Sequence, residues 1–316
     1  MRLVRSESMN NDESNVYDLI VIGAGPGGLN CSLYAARANM KVLVVEKGAP
    51  GGKMTTTFKV DNWIGDETIV GAKLALRMLK HTKEAGVEHK YGNVIKIESK
   101  SNFDKEVILD NNTILKSKAV VIATGMINRI PEDVQGIREY ENKGVSYCVI
   151  CDGPFNKGKP AAIIGGGNSA IEEAIYLSSL ASEVNIFIKD DKSIAEKVIL
   201  ESANRIPNIK FHYNSNVIKL SGTPNLEEIT VKTDGKESEI KINALFPYIG
   251  FLPVASFASH LDIFNSQGFI ITDENMETQE KGIYAIGDIR EKNIRQIITA
   301  ASDGAIAGKV IGNKIK

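Results

Sequence analysis

Two glycine-rich turns, about 142 residues apart, constrain the fold of this 316-residue chain more than any other feature. The first follows an apolar segment at 17–22 and has the pattern Gly23-x-Gly25-x-x-Gly28, after which apolar residues recur at helical spacing. This order predicts a strand that leads directly into a helix. In such units the first glycine permits a tight turn, the second lets a pyrophosphate reach the backbone, and the third lets helix and strand pack closely. The turn therefore predicts a dinucleotide site.

The acidic residue that closes this unit supports the same prediction. The next apolar run, at 41–45, ends on Glu46, which lies 23 positions beyond Gly23. Dinucleotide-binding units place an acid about 20 residues after the first glycine, where it accepts hydrogen bonds from ribose hydroxyls. The phosphates then face the helix N-terminus, whose free N–H groups favour negative charge. A glycine turn that binds no ligand is the alternative that the pattern leaves open.

The same pattern returns in the second half of the chain. An apolar run at 159–164 leads into a second glycine turn, and a helix at 168–180 and a strand at 184–188 are predicted to follow. The residues predicted to surround a pyrophosphate here are Gly165, Gly167, Asn168, Ser169 and Ala170.

The order of the remaining strands indicates that the second unit is inserted into the first. The apolar run at 119–125 ends on small residues, and a similar run at 282–288 ends on Gly287-Asp288. This late strand is expected to return to the first sheet and to place Asp288 beside the first cofactor. Asp234-Gly235, between two strand-like runs, predicts a hairpin. The predicted fold class is α/β, with two Rossmann-like three-layer domains, the second inserted in the first.

Composition limits the classes of function. The net charge is −1, so no basic surface for nucleic acid is predicted. No apolar run approaches the ~18 residues of a transmembrane helix, so no membrane span is predicted. Residues 1–16 are polar and lack the apolar stretch of a signal peptide. They are predicted to form a flexible extension, with Met9 as an alternative start to Met1.

The cysteines indicate redox chemistry. The chain has three Cys, an odd number that is not typical of a secreted disulfide framework and favours a cytoplasmic location. Two of them form Cys148-x-x-Cys151, and the four His are scattered without ligand spacing, so no metal site is predicted. Cys31 lies among Ala and Leu on a predicted helix and is expected in the core. A redox-type Cys pair between two dinucleotide-type turns predicts that electrons pass from a cofactor to a disulfide.

Several motifs resemble those of the low-molecular-weight thioredoxin reductases, and the resemblance covers nearly all of residues 17–316. Besides the two glycine turns and the Cys pair, these motifs are Gly51-Gly52-Lys53-Met54-Thr55-Thr56-Thr57, Val60-Asp61-Asn62-Trp63-Ile64-Gly65, Ala123-Thr124-Gly125, Gly287-Asp288 and Arg295-Gln296. The resemblance implies an FAD-binding domain at 17–127 plus 251–316 and an inserted domain at 128–250, which binds NADPH and carries the redox disulfide. It also implies thioredoxin as substrate, a homodimer, and hinges near 126–130 and 248–253.

The resemblance also assigns roles to single residues at FAD. Asp288 is expected to bind the ribityl chain, and Asn62, Gln296 and Ile297 are expected near the flavin. Lys53 stands where many relatives have Gln. The other positions implied to contact FAD are Gly52, Thr124, Gly125, Gly287 and Arg295.

For the redox pair, the resemblance implies that Cys151 faces the flavin. Cys148 then attacks the disulfide of thioredoxin through a mixed-disulfide intermediate. Asp152 is predicted to donate and accept protons, because thiolates gain and lose protons in each cycle. A simple helix cap is the alternative for Asp152.

The second nucleotide site departs from the family. NADPH-dependent relatives carry His-Arg-Arg-x-x-x-Arg after the second strand of this domain, and the guanidinium groups hold the 2′-phosphate. Here residues 188–194 include Lys189, Asp190, Asp191 and Lys192 but no Arg. An acid at this place can bind the free 2′-hydroxyl of NADH, so Lys189 and Asp190 are candidate contacts and the choice between NADH and NADPH is open. Two further alternatives are a reductase that takes electrons from ferredoxin or flavodoxin, and a flavin-binding redox sensor.

Overall fold

A computed structural model describes residues 16–57 and 60–315. Apart from Val16, which begins the first strand, the predicted N-terminal extension and the choice between Met1 and Met9 lie outside the described residues. Among the helices of the described ranges, none is long and apolar enough to cross a membrane.

The chain divides into two compact units. The first unit comprises the described parts of Met1–Thr55, Lys73–Gly125 and Pro253–Lys316, and the second comprises Thr56–Ala72 and Met126–Leu252. The described residues within 56–72 group with the second unit, whereas the family resemblance implied that they belong to the FAD-binding domain.

Helices and strands alternate near the two glycine turns, and runs of consecutive strands follow each of these parts. In chain order they are β1 Val16–Ile22, α1 Pro26–Arg37, β2 Val42–Glu46, α2 Gly71–Glu84, β3 Glu88–Tyr91, β4 Val94–Ser101, β5 Asp104–Leu109, β6 Ile114–Ile122, β7 Met126–Asn128, α3 Val149–Asp152, β8 Pro160–Ile164, α4 Asn168–Ser178, β9 Glu183–Phe187, α5 Lys197–Asn204, β10 Ile209–His212, β11 Ser215–Ser221, β12 Glu228–Thr233, β13 Lys236–Lys241, β14 Ala244–Pro247, β15 Phe251–Pro253, β16 Ile283–Ala285 and α6 Ile297–Lys314.

The first unit is built on a mixed sheet. Its strand order is β3-β2-β1-β6-β5-β4, and β16 also pairs with β6. β1 runs parallel to both neighbours, with Leu19 opposite Val42 and Ala119. Because these central strands are buried on both faces, their sequences are continuous apolar runs rather than alternating ones. Parallel pairing of Ile283 with Val120 confirms that the late strand returns to the first sheet.

The second unit has a smaller parallel sheet and a separate antiparallel one. The parallel sheet has the order β10-β9-β8-β14, and β11, β12 and β13 form the antiparallel sheet. β12 and β13 are joined by Asp234-Gly235, where φ is 48° and 82°. Positive φ at both residues is what a two-residue type I′ turn requires. The predicted hairpin is therefore confirmed.

Helices α1 and α6 cross at a distance that only glycine permits. α6 carries Gly304, Gly308 and Gly312 at four-residue spacing. These positions lie on one face of α6, which therefore has no side chains there. A Cβ at Gly304 would lie 2.3 Å from Gly27 O, and one at Gly308 would lie 2.6 Å from Cys31 O. Cys31 is buried at this crossing, which confirms its expected place in the core, and burial raises the pKa of its thiol to about 12. Because α1 begins at the first glycine turn, this contact holds that turn against the sheet.

Gly308→Ala tests the crossing. Ala is favoured over Gly in a helix by about 1 kcal/mol, but an added methyl group in a close-packed contact costs about 1–3 kcal/mol. Since the Cβ would meet backbone atoms, we expect a net loss of stability of about 1 kcal/mol and a melting temperature lower by about 2–4 °C, measured by circular dichroism. Lys309→Ala, at the adjacent exposed position, is the control and should not lower it. A melting temperature that rises in Gly308→Ala would contradict the close crossing.

Candidate active site

The first glycine turn has the geometry of a pyrophosphate cradle. Gly23 has φ of 106°, and a Cβ there would lie 2.5 Å from Ala123 O. A Cβ at Gly28 would lie 2.0 Å from Gly23 O, whereas one at Gly25 would meet nothing within 4 Å. The first and third glycines thus allow close packing, and the second leaves the backbone open. Gly25 is the N-cap residue of α1, and it has no side chain that could bond to the N–H groups of the first turn. These N–H groups therefore face the open side of the turn.

Glu46 is fastened to the same turn. Its Oε2 accepts a hydrogen bond from Ala24 N at 2.8 Å, and its Oε1 accepts one from Gly48 N at 2.8 Å. The carboxylate therefore joins the end of β2 to the glycine turn. Each oxygen keeps further acceptor capacity, and the expected bond to a ribose hydroxyl stays a prediction.

The segment after β2 places Lys53 beside Asp288. Gly51 N donates to Ala24 O at 2.7 Å, and a Cβ at Gly52 would lie 3.3 Å from Gly25 Cα. The short 3-10 helix Gly52–Thr56, which follows Gly51, therefore packs against the glycine turn at its start. Lys53 Nζ donates to Asp288 Oδ2 at 2.6 Å across 235 positions of sequence. The structure thus brings together two of the residues predicted for FAD.

The turn that carries Asp288 rests on a buried carboxylate that the motifs did not indicate. Asp303 Oδ2 accepts from Gly287 N at 3.0 Å and from Lys292 Nζ at 2.7 Å. Asp303 Oδ1 accepts from Arg290 at 3.2 Å. A buried charge is tolerated when it is paired in this way. A sequence signal existed, because Asp303 lies three residues after a buried Ala and four before another on the α6 pattern.

The remaining residues predicted for FAD occupy strand ends and a helix start. Thr124 Oγ1 donates to Val254 O at 2.5 Å, and Gly125 has φ of 62°. The guanidinium of Arg295 lies 4.3 Å from the ring centre of Phe269. Gln296 caps α6 in a capping box with Thr299, and the helix begins at Ile297. Asn62 lies in the second unit, where residues 61–67 line a shallow surface depression.

The second glycine turn repeats the geometry of the first. Gly165 has φ of 139°, and a Cβ there would lie 2.2 Å from Tyr248 O and 3.2 Å from Ala170 Cβ. A Cβ at Gly167 would meet only Ile194, at 4.0 Å. Gly167 caps α4 without a side-chain hydrogen bond. This turn is therefore also open where a pyrophosphate would approach the helix.

The loop after β9 folds back onto this turn. Ser193 Oγ and Ile194 N both donate to Gly166 O, at 2.7 and 2.9 Å. Asn168, at the start of α4, donates through Nδ2 to Glu196 at 2.9 Å and accepts from Glu196 N at 2.8 Å. Ser169 follows it in the first turn of α4. The exposed residues that precede this fold-back are Lys189, Asp190, Asp191 and Lys192.

The redox pair lies at the start of helix α3. Cys148 and Cys151 form a disulfide, and Cys148 Sγ accepts a hydrogen bond from Cys151 N at 3.2 Å as the N-cap of α3. Asp152 follows and makes no side-chain capping bond. Its Oδ2 instead accepts a hydrogen bond from Ser146 Oγ at 2.5 Å. The geometry therefore does not support the interpretation of Asp152 as a helix cap.

Tyr248 and Glu173 are two polar side chains near helix α3 that the motifs did not indicate. Tyr248 OH accepts a hydrogen bond from Val149 N at 3.3 Å. Burial and the neighbouring Glu173 carboxylate raise the pKa of Tyr248. Glu173 Oε2 is shielded from solvent and has no hydrogen-bond partner within the described residues. Burial, with the adjacent Glu172, raises the pKa of Glu173 to about 7. Helical spacing could have indicated Glu173, since it lies four residues before the buried Leu177.

Within residues 16–57 and 60–315, no group of three or more His, Cys, Asp or Glu is arranged to hold a metal ion. The polar clusters described above instead bond to backbone groups, to Lys and Arg, or to one another.

Glu173→Gln should change how stability depends on pH. The folded pKa is about 7 and the ordinary value is 4.5, so the stability that Glu173 contributes is present below about pH 4.5 and is lost as pH rises through 7. We expect the melting temperature of the parent protein to fall relative to Glu173→Gln between pH 5 and 8, by an amount equivalent to roughly 2–3 kcal/mol. Glu201→Gln, at an exposed position on α5, is the control. Parallel pH profiles for parent and Glu173→Gln would exclude a buried, protonated carboxyl.

Comparison with known proteins agrees with these features. Residues 17–304 match the family described as pyridine nucleotide-disulphide oxidoreductase. The chain is 45% identical to thioredoxin reductase of Mycoplasmopsis pulmonis, over 96% of this chain and 99% of that protein. It is 38% identical to thioredoxin reductase of Bacillus subtilis, over 96% of both chains.

Solved structures give the same result. Lactococcus lactis thioredoxin reductase matches with a TM-score of 0.91 at 38% identity, over 95% of this chain and 99% of that one. T. acidophilum thioredoxin reductase matches with a TM-score of 0.89 at 29% identity, over 96% and 100%. The predicted α/β class with two Rossmann-like domains is confirmed. The chain belongs to the pyridine nucleotide-disulphide oxidoreductase family and, within it, to the thioredoxin reductases.

Proposed function

We propose that this protein is a flavoprotein that reduces the disulfide of thioredoxin, with electrons that pass from NADH or NADPH through FAD to Cys148 and Cys151. The observation that carries the proposal is a disulfide at a helix start in a chain that also has two open glycine turns. The direct test is reduction of thioredoxin by the purified, FAD-loaded protein, with NADH, NADPH and reduced ferredoxin in separate reactions. Turnover distinguishes an enzyme from a redox sensor. Turnover with ferredoxin alone would favour the nicotinamide-independent alternative.

The first unit suits FAD. When bound, FAD relays electron pairs between a nicotinamide and a disulfide. The open backbone at Gly25 and the uncapped start of α1 suit its pyrophosphate. The Asp288 carboxylate suits the hydroxyls of the ribityl chain. Lys53, at 2.6 Å from that carboxylate, adds a positive charge that the phosphates would favour.

Reduction of one protein disulfide consumes two electrons and two protons. In the proposed sequence the Cys148 thiolate attacks one sulfur of thioredoxin, a mixed disulfide forms, and the displaced thiolate takes a proton. The Cys151 thiolate then attacks Cys148 Sγ, the internal disulfide re-forms, and the second thioredoxin sulfur leaves and takes a proton. The N–H of Cys151, which points at Cys148 Sγ, supports Cys148 as the nucleophile because it would stabilise the thiolate. We assign the proton exchange to Asp152.

The cysteine roles can be tested by trapping. A thioredoxin with one active-site Cys, activated as a mixed disulfide with thionitrobenzoate, releases a coloured thiol when attacked. We expect pre-reduced Cys151→Ser, which keeps Cys148, to form the covalent complex at least about tenfold faster than Cys148→Ser. The reason is that the backbone N–H of residue 151 lowers the energy of the Cys148 thiolate. Mass spectrometry identifies the complex. Faster trapping by Cys148→Ser would reverse the two roles.

The residues after β9 favour NADH over NADPH as the electron donor. In NADPH-dependent relatives Arg side chains hold the 2′-phosphate, which carries about two negative charges. Here Lys189 and Lys192 are offset by Asp190 and Asp191. Phosphate binding therefore lacks the bidentate partner that Arg provides, whereas a free 2′-hydroxyl can donate to a carboxylate. We propose that NADH supports a kcat/KM at least equal to that of NADPH.

Asp190→Arg should shift this preference toward NADPH. One charge-assisted hydrogen bond contributes about 1.5–3 kcal/mol, so the ratio of kcat/KM for NADPH to that for NADH is expected to rise by at least about tenfold. Glu239→Arg makes the same charge change on the exposed strand β13 and should leave the ratio unchanged. A parent enzyme that prefers NADPH more than about tenfold would contradict the proposal.

Assembly and location are proposed by analogy with the family. We propose a cytoplasmic homodimer, in which residues 17–127 with 251–316 bind FAD and residues 128–250 bind the pyridine nucleotide. Thioredoxin is its proposed protein substrate.

A further inference from the structure

A single hydroxyl, that of Ser146, connects the acid of the redox site to the backbone of the first cysteine. Ser146 Oγ donates to Asp152 Oδ2 at 2.5 Å and accepts from Cys148 N at 3.1 Å. A serine hydroxyl has one hydrogen and two lone pairs. These contacts use the hydrogen and one lone pair, since Cys148 O, at 3.5 Å, is the more distant acceptor for the hydrogen.

Hydrogen bonds that involve backbone groups hold both Ser146 and Asp152 in place. Ser146 N donates to Leu245 O in β14 at 3.1 Å, so the hydroxyl is carried by a sheet rather than by a free loop. Asp152 N donates to Cys148 O at 3.1 Å. Asn156 Nδ2 donates to Asp152 O at 3.1 Å. The carboxylate and the hydroxyl therefore meet because rigid elements hold them, which is how functional side chains keep their geometry.

Within the described residues, the group that donates a hydrogen bond to the Asp152 carboxylate is the Ser146 hydroxyl. Without the hydroxyl, the carboxylate would be free to rotate into solvent, since Asp152 is only half-buried. The Cys148 N–H would at the same time lose its acceptor. The change would thus affect the acid and the nucleophile but not the glycine turns.

We propose that Ser146 is a positioning residue, which acts on thioredoxin reduction by holding the Asp152 carboxylate against the first turn of the redox helix. This inference rests on the proposed role of Asp152 in proton exchange. Ser146 itself does not exchange protons with the thiols in this scheme. The part of its contribution that acts through the acid exists only while the carboxylate is present, whereas its bond from Cys148 N does not depend on Asp152.

A double-mutant cycle tests this dependence. FAD-loaded Ser146→Ala, Ser146→Thr, Asp152→Asn and the double variant Ser146→Ala/Asp152→Asn are compared with the parent in thioredoxin reduction. We expect Ser146→Ala to lower kcat about tenfold, as for one charge-assisted hydrogen bond, with the KM for nicotinamide nucleotide unchanged. Ser146→Thr, which keeps the hydroxyl, should recover kcat to within about twofold. Ser146→Ala should therefore lower kcat by a clearly smaller factor in the Asp152→Asn background than in the parent.

Controls separate positioning from folding. Ser179→Ala removes an exposed hydroxyl that bonds to Tyr176 O and should leave kcat unchanged, while FAD content and melting temperature report the fold of each variant. Losses that multiply in the double variant, or a Ser146→Thr as slow as Ser146→Ala, would overturn the inference. An Asp152→Asn with full kcat would overturn both the role of Asp152 and the positioning by Ser146. Trapping by Cys148 would still test the reductase function independently.

Discussion

Each unit depends on a backbone contact that a missing Cβ makes possible. A Cβ at Gly23 would lie 2.5 Å from Ala123 O, just beyond β6, and one at Gly165 would lie 2.2 Å from Tyr248 O, just beyond β14. In both units the turn after the first strand therefore packs against the carbonyl that follows a neighbouring parallel strand. Any side chain would separate these strand ends, and the start of the following helix would move with the turn. The N–H groups that face a phosphate are placed by this contact.

In the second unit the same contact links the nucleotide-type turn to the redox helix. Tyr248 touches Gly165 through its carbonyl and accepts a hydrogen bond from Val149 N through its hydroxyl. One residue at the end of β14 thus supports both the glycine turn and the first turn of α3. Ser146 is held by the same strand through Leu245. The disulfide and the glycine turn are therefore supported by one rigid edge of the sheet.

Each unit shields an acidic side chain in a different way: Asp303 is buried, whereas Glu173 is half-buried with one oxygen shielded from solvent. In the first unit Asp303 is paired with Arg290 and Lys292 and also accepts Gly287 N. In the second unit Glu173 lies near Tyr248, and burial raises its pKa to about 7. A paired carboxylate can stay charged inside a protein, whereas a desolvated one without a cation favours its neutral form. The first arrangement holds a turn in place, and the second leaves a group that titrates near neutral pH behind the redox helix.

The sequence by itself determined the features that act over short distances. Glycine spacing predicted both turns, Asp234-Gly235 predicted its hairpin, and the pair Cys148 and Cys151 predicted the disulfide. These predictions succeed because a turn, a helix start or a Cys-x-x-Cys is specified by adjacent residues. Motif similarity added the family, since ordered motifs along the whole chain rarely arise together.

Only the tertiary structure decided the contacts between distant segments. Lys53 meets Asp288 across 235 positions, and Tyr248 OH accepts a hydrogen bond from Val149 N across 99 positions. Helical spacing could have indicated that Asp303 is buried, but it contains no information that Gly287 is its partner. Such pairs depend on which strands are neighbours in the sheet, and a local pattern contains no information on that order. The physical reason is that periodicity assigns a residue to a face, whereas partners are chosen by the packing of the whole unit.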